Sequence, residues 1–155
     1  MEIRERYLAL YTGAIADILD KRGLREQVLP RGLGPRTAAK RVAGLAFTGR
    51  GAPTDRAGDD DTATRLRMLD SIRPGTVSVW ACGGSVNCAH WGEMMSNAAR
   101  QRGCEGAVID GGGGGSRAVG VVCGALRIRG CRSRILTRNL ANLAWRARFA
   151  RMMGF

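Results

Sequence analysis

Five consecutive glycines, Gly111 to Gly115, divide the chain into two parts of different composition. All thirteen acidic residues precede this run, together with sixteen of the twenty-five Lys and Arg residues, which leaves a formal balance of +3. The other nine basic residues are all Arg and follow the run with no Asp or Glu among them, a formal charge of +9. The sequence therefore predicts a domain in residues 1–113 and an Arg/Gly-rich tail in residues 114–155.

Length and composition exclude several classes of protein. A chain of 155 residues can bury a core as one domain. No run of eighteen apolar residues occurs, so we expect no membrane span, and no membrane partner is expected. The charged N-terminus lacks a signal peptide, which predicts a cytoplasmic location. Five Cys without C-x-x-C spacing, beside one His, favour reduced packing thiols over structural zinc.

Predicted strands alternate with predicted helices before the glycine run. Helical spacing of apolar residues indicates helices, and short β-branched runs indicate strands, so an α/β fold is expected. Asp59 to Asp61 are interpreted as acidic residues ahead of a helix dipole and not as metal ligands. The predicted elements are helix 5–22 ending at Gly23, strand 42–48, helix 62–72, strand 76–81, a turn at Gly83-Gly84-Ser85, helix 92–103 and strand 107–110.

The part of the chain after the glycines has weaker patterns. Residues 118–130 are compatible with a pair of strands, and residues 136–153 with an Arg-rich helix. The glycine run itself lacks the Gly-Lys-Ser/Thr of a Walker A loop and the spacing of G-x-G-x-x-G. Nucleotide binding is therefore not expected.

Four segments before Gly114 carry a family resemblance when read in order: LYTGAIADILDKRG, VAGLAFTGRG, MLDSIRPGTVSVWACGG and AHWGEMMSNAARQRGCEGAVIDGG. Over residues 8–113 the chain resembles the RraA-like family. That family contains 4-hydroxy-4-methyl-2-oxoglutarate aldolases, oxaloacetate decarboxylases and the regulator of ribonuclease activity A. The resemblance implies a layered β/β/α swivelling-domain fold, incomplete at its C-terminal end, assembled in intact members as homotrimers or homohexamers.

The resemblance also implies a chemistry: a class II lyase in which Mg²⁺ or Mn²⁺ polarises a small 2-keto acid that yields pyruvate. The family's acidic residue, which helps to hold metal-bound water, falls on Glu93. Its backbone-amide cradle for the substrate falls on Gly92, Glu93, Met94 and Met95. Twenty residues further on, the family has an Arg that pairs with the substrate and an Asp that binds the metal.

Those two catalytic positions are occupied by Gly114 and Gly115, so both side chains are absent and lyase activity is expected to be impaired. Two accounts fit. A shift of reading frame near residue 112 would make the tail an artefact, and the tail's Arg-rich, acid-free composition favours this account. Otherwise the tail is native and the protein is a non-catalytic relative. Without the family's later strands, the predicted strands would have open edges, and a chain that does not fold stably is a third outcome.

A binding function is the alternative to an enzyme. The chain would then act as a regulator of ribonuclease activity through protein contact, or bind RNA through the Arg-rich tail. His90 fits either a proton shuttle or substrate contact, or a packing role. No basic partner is implied for Cys82, Cys88 or Cys104, so a nucleophilic thiol is not expected.

Overall fold

A computed structural model describes residues 2–25, 27–29, 33–37, 41–54, 59–113, 120–125 and 132–136. It contains four helices within those ranges: α1 (Ile3–Ala9), α2 (Thr12–Lys21), α3 (Asp59–Asp70) and α4 (Glu93–Gln101). The strands are β1 (Gly34–Pro35), β2 (Leu45–Thr54), β3 (Thr76–Trp91), β4 (Gly106–Gly113), β5 (Gly120–Ala125) and β6 (Arg132–Leu136). Gly114, Gly115 and all but the first residue of the predicted helix 136–153 lie outside this description.

The strands form one sheet in the order β1-β5-β4-β3-β2-β6. Neighbouring strands from β2 to β5 run parallel, whereas β1 and β6 pair antiparallel with β5 and β2. The parallel pairs β2–β3 and β3–β4 are connected through α3 and α4, as βαβ units require. The α/β class predicted from the alternating pattern is confirmed.

The central strand is much longer than its predicted core of 76–81. β3 continues to Trp91 through the segment expected to turn, and its pairing with β4 shifts register after Ala81. Gly83 and Gly84 have φ values of 62° and 66°, a conformation that most side chains disfavour. The predicted turn is therefore an irregularity within a strand, because a bulge bends the chain without ending its pairing.

The N-terminal helix predicted over residues 5–22 is two helices. Leu10 and Tyr11 have extended backbones with ψ of 148°, which ends α1 and starts α2. The predicted end at Gly23 is confirmed, since Gly23 has φ of 73° and donates to the carbonyl of Asp20. The Leu24 N–H bonds back to Leu19, which completes a Schellman motif.

The two faces of the sheet bury different amounts of apolar surface. The face that carries α3 and α4 holds the main core, in which Trp80 and Trp91 meet edge to face with ring centroids 5.9 Å apart. The opposite face holds a smaller cluster built on Val77, Val79 and Val108. The two tryptophans thus anchor α3 and α4 against the sheet.

Strands from the second part of the chain cover both sides of the β2–β3–β4 trio. β5 pairs with β4, and β6 pairs with β2. The open edges that the sequence suggested for these strands are therefore occupied. Across the residues that the structure covers, no helix combines the length and hydrophobicity needed to cross a membrane.

Candidate functional site at the start of α4

The four residues predicted as a cradle lie at the N-terminal end of α4, where backbone N–H groups have no carbonyl partner within the helix. Gly92 is the N-cap of α4, with φ of −138° and ψ of −174°. The first bond inside the helix runs from the N–H of Ser96 to the carbonyl of Gly92, at 2.9 Å. The N–H groups of Gly92, Glu93, Met94 and Met95 therefore have no partner within α4. Together with the helix dipole, they form a place suited to an anion.

A buried hydrogen-bond chain holds this turn in place. The Trp91 indole N–H donates to Ser96 Oγ at 2.8 Å, and that hydroxyl donates to the Gly92 carbonyl at 2.9 Å. Trp91 and Ser96 are both buried. Because a buried indole N–H is costly to leave unpaired, this network fixes the position of Gly92 relative to the end of β3.

The side chains of the cradle residues point in different directions. Glu93 is exposed, and Met94 is 81% exposed, whereas Met95 is buried in the main core. Met95 can therefore contribute only its backbone to a ligand. Glu93 and Met94 also line a shallow depression that continues along α4 past Asn97, Ala98 and Gln101. The Glu93 carboxylate is thus a solvent-facing acid beside four open amides.

His90 lies directly before this turn, and its ring is buried against β2. A Cβ added to Gly51 would come within 2.7 Å of His90 Nδ1 and 3.1 Å of Cys82 Sγ. Within the described part of the chain, neither ring nitrogen of His90 has a hydrogen-bond partner. The ring therefore packs in a recess that exists because residue 51 has no side chain.

The charges that act on His90 come from two elements, α3 and β4. Burial lowers the pKa of His90, the guanidinium of Arg65 on α3 lowers it further, and the carboxylate of Asp110 on β4 opposes both. Asp110 Oδ2 accepts the N–H of Gly84 at 3.0 Å, in the irregular part of β3. The sequence pattern did not single out Arg65 or Asp110, because nothing local shows that α3 and β4 face the recess.

The described residues do not supply the ligands of the family's metal. Among them, no group of three or more His, Cys, Asp or Glu side chains could hold a metal ion. Glu93 is the one carboxylate that the cradle itself provides, and residue 115 is glycine. Mg²⁺ and Mn²⁺ prefer several oxygen ligands, so this donor set does not fit them. Cys82 and Cys104 are buried and take part in no disulfide, as the composition predicted for packing thiols.

A family model supports this interpretation of the fold. The model described as RraA-like, Aldolase/RraA, matches residues 12–127. This chain belongs to the RraA-like family. The resemblance seen in the sequence is confirmed, and the match covers all of α2, β2, α3, β3, α4, β4 and β5. The mixed sheet and the helices packed on it form the RraA-like fold.

Solved structures share this RraA-like fold. One from a set described as novel cellulases from microbes associated with the gut ecosystem is 29% identical, with a TM-score of 0.77, over 88% of this chain and 66% of that one. A Streptomyces coelicolor protein, described as an unusual member of the RNase ES inhibitor RraA family, is 22% identical, with a TM-score of 0.67. The match covers 82% of this chain and 64% of that one. The RNA-processing inhibitor RraA of Thermus thermophilis is 18% identical, with a TM-score of 0.60, over 85% and 80%.

The RraA-like family contains both aldolases and RraA-type inhibitors, so membership does not select one activity. The two inhibitor structures are similar to this chain in fold alone. The chain spans 64% to 66% of the length of the first structures that it matches. A comparison with curated proteins found no match.

Proposed function

We propose that this chain is a RraA-like domain of the aldolase and decarboxylase type that retains the 2-keto acid cradle and is impaired in lyase chemistry. The observation that carries the proposal is the group of four amides at the start of α4 that have no partner within that helix. The Trp91–Ser96–Gly92 hydrogen bonds hold this turn in place. The substrate class is a small 2-keto acid that would yield pyruvate, such as 4-hydroxy-4-methyl-2-oxoglutarate or oxaloacetate.

General electrostatics explains why the cradle would bind a 2-keto acid. A 2-keto acid carries a carboxylate, and the amides of residues 92–95 supply donors at the positive end of the α4 dipole. Glu93 would repel a bare anion through its carboxylate, so its proposed catalytic role is to hold water beside the substrate and not to contact the carboxylate.

The chemistry is impaired because the charge that develops during bond cleavage has no partner. Breaking the carbon–carbon bond leaves an enolate, which in the family a bound Mg²⁺ or Mn²⁺ stabilises. In this chain the proposed Arg and Asp positions are Gly114 and Gly115. The residues present do not fit the metal, so the substrate would bind without efficient turnover.

Removing one amide donor tests the cradle directly. Proline is favoured at the first helical position, and the extended backbone of Gly92 suits the residue before a proline. Glu93→Pro deletes the N–H and the carboxylate, while the matched Glu93→Ala deletes only the carboxylate. We expect pyruvate, titrated against 15N-labelled protein, to shift the amides of residues 92–95, and Glu93→Pro to bind about tenfold more weakly than Glu93→Ala. Equal affinities for the two variants would contradict the cradle.

The alternative is a non-catalytic regulator that binds protein or RNA. The observation that favours it is the set of nine Arg residues spread along the chain after the glycines, with no Asp or Glu among them. Deleting residues 116–155 would remove β5 and β6 from the sheet, so charge substitution is the cleaner test. If the tail binds RNA, changing Arg138, Arg146, Arg148 and Arg151 to Gln will abolish retention of a single-stranded RNA at low salt. Unchanged retention in this variant would show that these four Arg residues do not form an RNA site.

Three further expectations accompany the proposal. Assembly as a homotrimer or homohexamer is supported by α1 and α2, which bury no residue and expose Ile3, Tyr7 and Tyr11. We also propose the division of the chain at residues 113 and 114 and a cytoplasmic location. The division rests on the change in composition at that point, and the location rests on Cys82 and Cys104, which are buried and take part in no disulfide.

A further inference from the structure

The recess around His90 buries an ionisable ring, and burial and Arg65 disfavour its charged form more than Asp110 favours it. His90 is 1% exposed, and its Nδ1 and Cys82 Sγ both lie close to the position that a Cβ on Gly51 would take. Both ring nitrogens lack a hydrogen-bond partner within the described residues. A neutral imidazole tolerates this position, whereas an imidazolium would bring two donors and a full charge into it.

The charged groups that face the ring do not offset this penalty. Arg65 on α3 has the same sign as an imidazolium and disfavours it, and Asp110 on β4 has the opposite sign and favours it. The Asp110 carboxylate already accepts the Gly84 N–H. Cys82 on β3 and the backbone of Gly51 on β2 also lie near the ring. Burial and Arg65 together outweigh Asp110, so protonation favours a state in which the ring has left the recess.

Movement of His90 is transmitted to the start of α4 because the two are adjacent in the chain. Trp91 follows His90 directly and holds the first turn through Ser96 Oγ. The hydroxyl and the amide of Ser96 both bond to the carbonyl of Gly92. A ring that leaves the recess pulls on the backbone of residues 89–91, and these bonds are the first to be strained.

We propose that His90 is a proton-sensitive switch: uptake of one proton by its ring drives the ring out of the Gly51–Cys82 recess and opens the first turn of α4. The closed form binds fewer protons than the open form, so the open fraction rises as pH falls through the ordinary histidine range. Each pH unit below the pKa of the open form, about 6.5, multiplies the open fraction by about ten. The first turn of α4, and with it the cradle, is therefore open more often in mild acid than at neutral pH.

Hydrogen exchange across pH tests the switch on the unaltered protein. We expect the protection factors of the Ser96 amide and the Trp91 indole, corrected for intrinsic exchange, to fall about tenfold between pH 7.5 and pH 5.5. The Gly75 amide, which bonds to the Gly103 carbonyl at 2.9 Å at the other end of β3, serves as the reference and should keep its protection. Equal loss at Gly75 would show global unfolding and overturn the proposal.

Two measurements identify His90 as the group responsible. Since the chain has one histidine, its ring resonance needs no assignment, and its midpoint should lie below 6.5 and coincide with the shift of the Trp91 indole signal. In His90→Phe, the pH dependence of Ser96 protection should disappear. The switch would be overturned if the ring titrates at its ordinary value with no coupled change at Trp91. It would also be overturned if the pH profile of Ser96 protection is unchanged in His90→Phe. The first of these results does not require that the variant folds.

Discussion

Replacing Gly51 with alanine is expected to lower the free energy of unfolding by about 3 kcal/mol. The added Cβ would lie 2.7 Å from His90 Nδ1 and 3.1 Å from Cys82 Sγ, closer than these atoms can approach without displacement. His90 and Cys82 are both buried, so neither can move into solvent without disturbing the core. Urea unfolding followed by tryptophan fluorescence measures the loss.

Two further variants separate this clash from a general effect of replacing glycine. In Gly13→Ala the new Cβ meets the exposed ring of Tyr11, which can rotate away, and alanine favours the helix, so stability should be unchanged or slightly higher. In a His90→Ala background, Gly51→Ala should cost much less than in the unaltered protein, because the crowded ring is then absent. An undiminished cost in that background would show that His90 is not what the new Cβ strikes.

Restoring the Arg-Asp pair is expected to give the largest change in activity. The unaltered protein should release pyruvate from oxaloacetate with Mg²⁺ no faster than Mg²⁺ alone. Gly114→Arg combined with Gly115→Asp would supply a cation for the substrate and an oxygen ligand for the metal, and we expect a gain of about a hundredfold or more over the unaltered protein. A coupled assay for pyruvate measures the rates of the unaltered protein and of the double variant.

The matched control for this gain is Gly114→Arg combined with Gly115→Asn. It keeps the size of the side chain at residue 115 and removes its negative charge, so most of the gain should be lost. Activity of the unaltered protein clearly above the metal-only rate would show that Gly114 and Gly115 do not impair it. Equal activity of the Asp and Asn variants would show that residue 115 does not bind the metal.

Local patterns predicted the three central strands and the helix that follows Gly92. The β-branched run at residues 76–81 and the helix beginning at Gly92 depend on neighbours in sequence, and both appear as expected. The continuation of β3 to Trp91 could not be predicted, because it depends on pairing with the glycines of β4. A two-residue break at Leu10 and Tyr11 leaves the helical spacing of apolar residues intact, so periodicity could not reveal it.

The surroundings of His90 were hidden for a related reason. Its recess depends on Gly51, thirty-nine residues earlier, and its electrostatics depend on Arg65 and Asp110 from two other elements. The sequence left a packing role and a chemical role open for this histidine. The structure shows its ring packed, with both nitrogens lacking partners among the described residues, which a pattern of single residues cannot convey.

The order of strands in the sheet has a consequence for synthesis on the ribosome. The parallel trio β2–β3–β4 is complete once Gly113 has emerged, but the strands that flank it, β5 and β6, are made afterwards. Until then the nascent chain presents two rows of unpaired backbone groups, to which other chains can add. We therefore expect yield in the cell to depend on chaperones and on translation speed through residues 114–136.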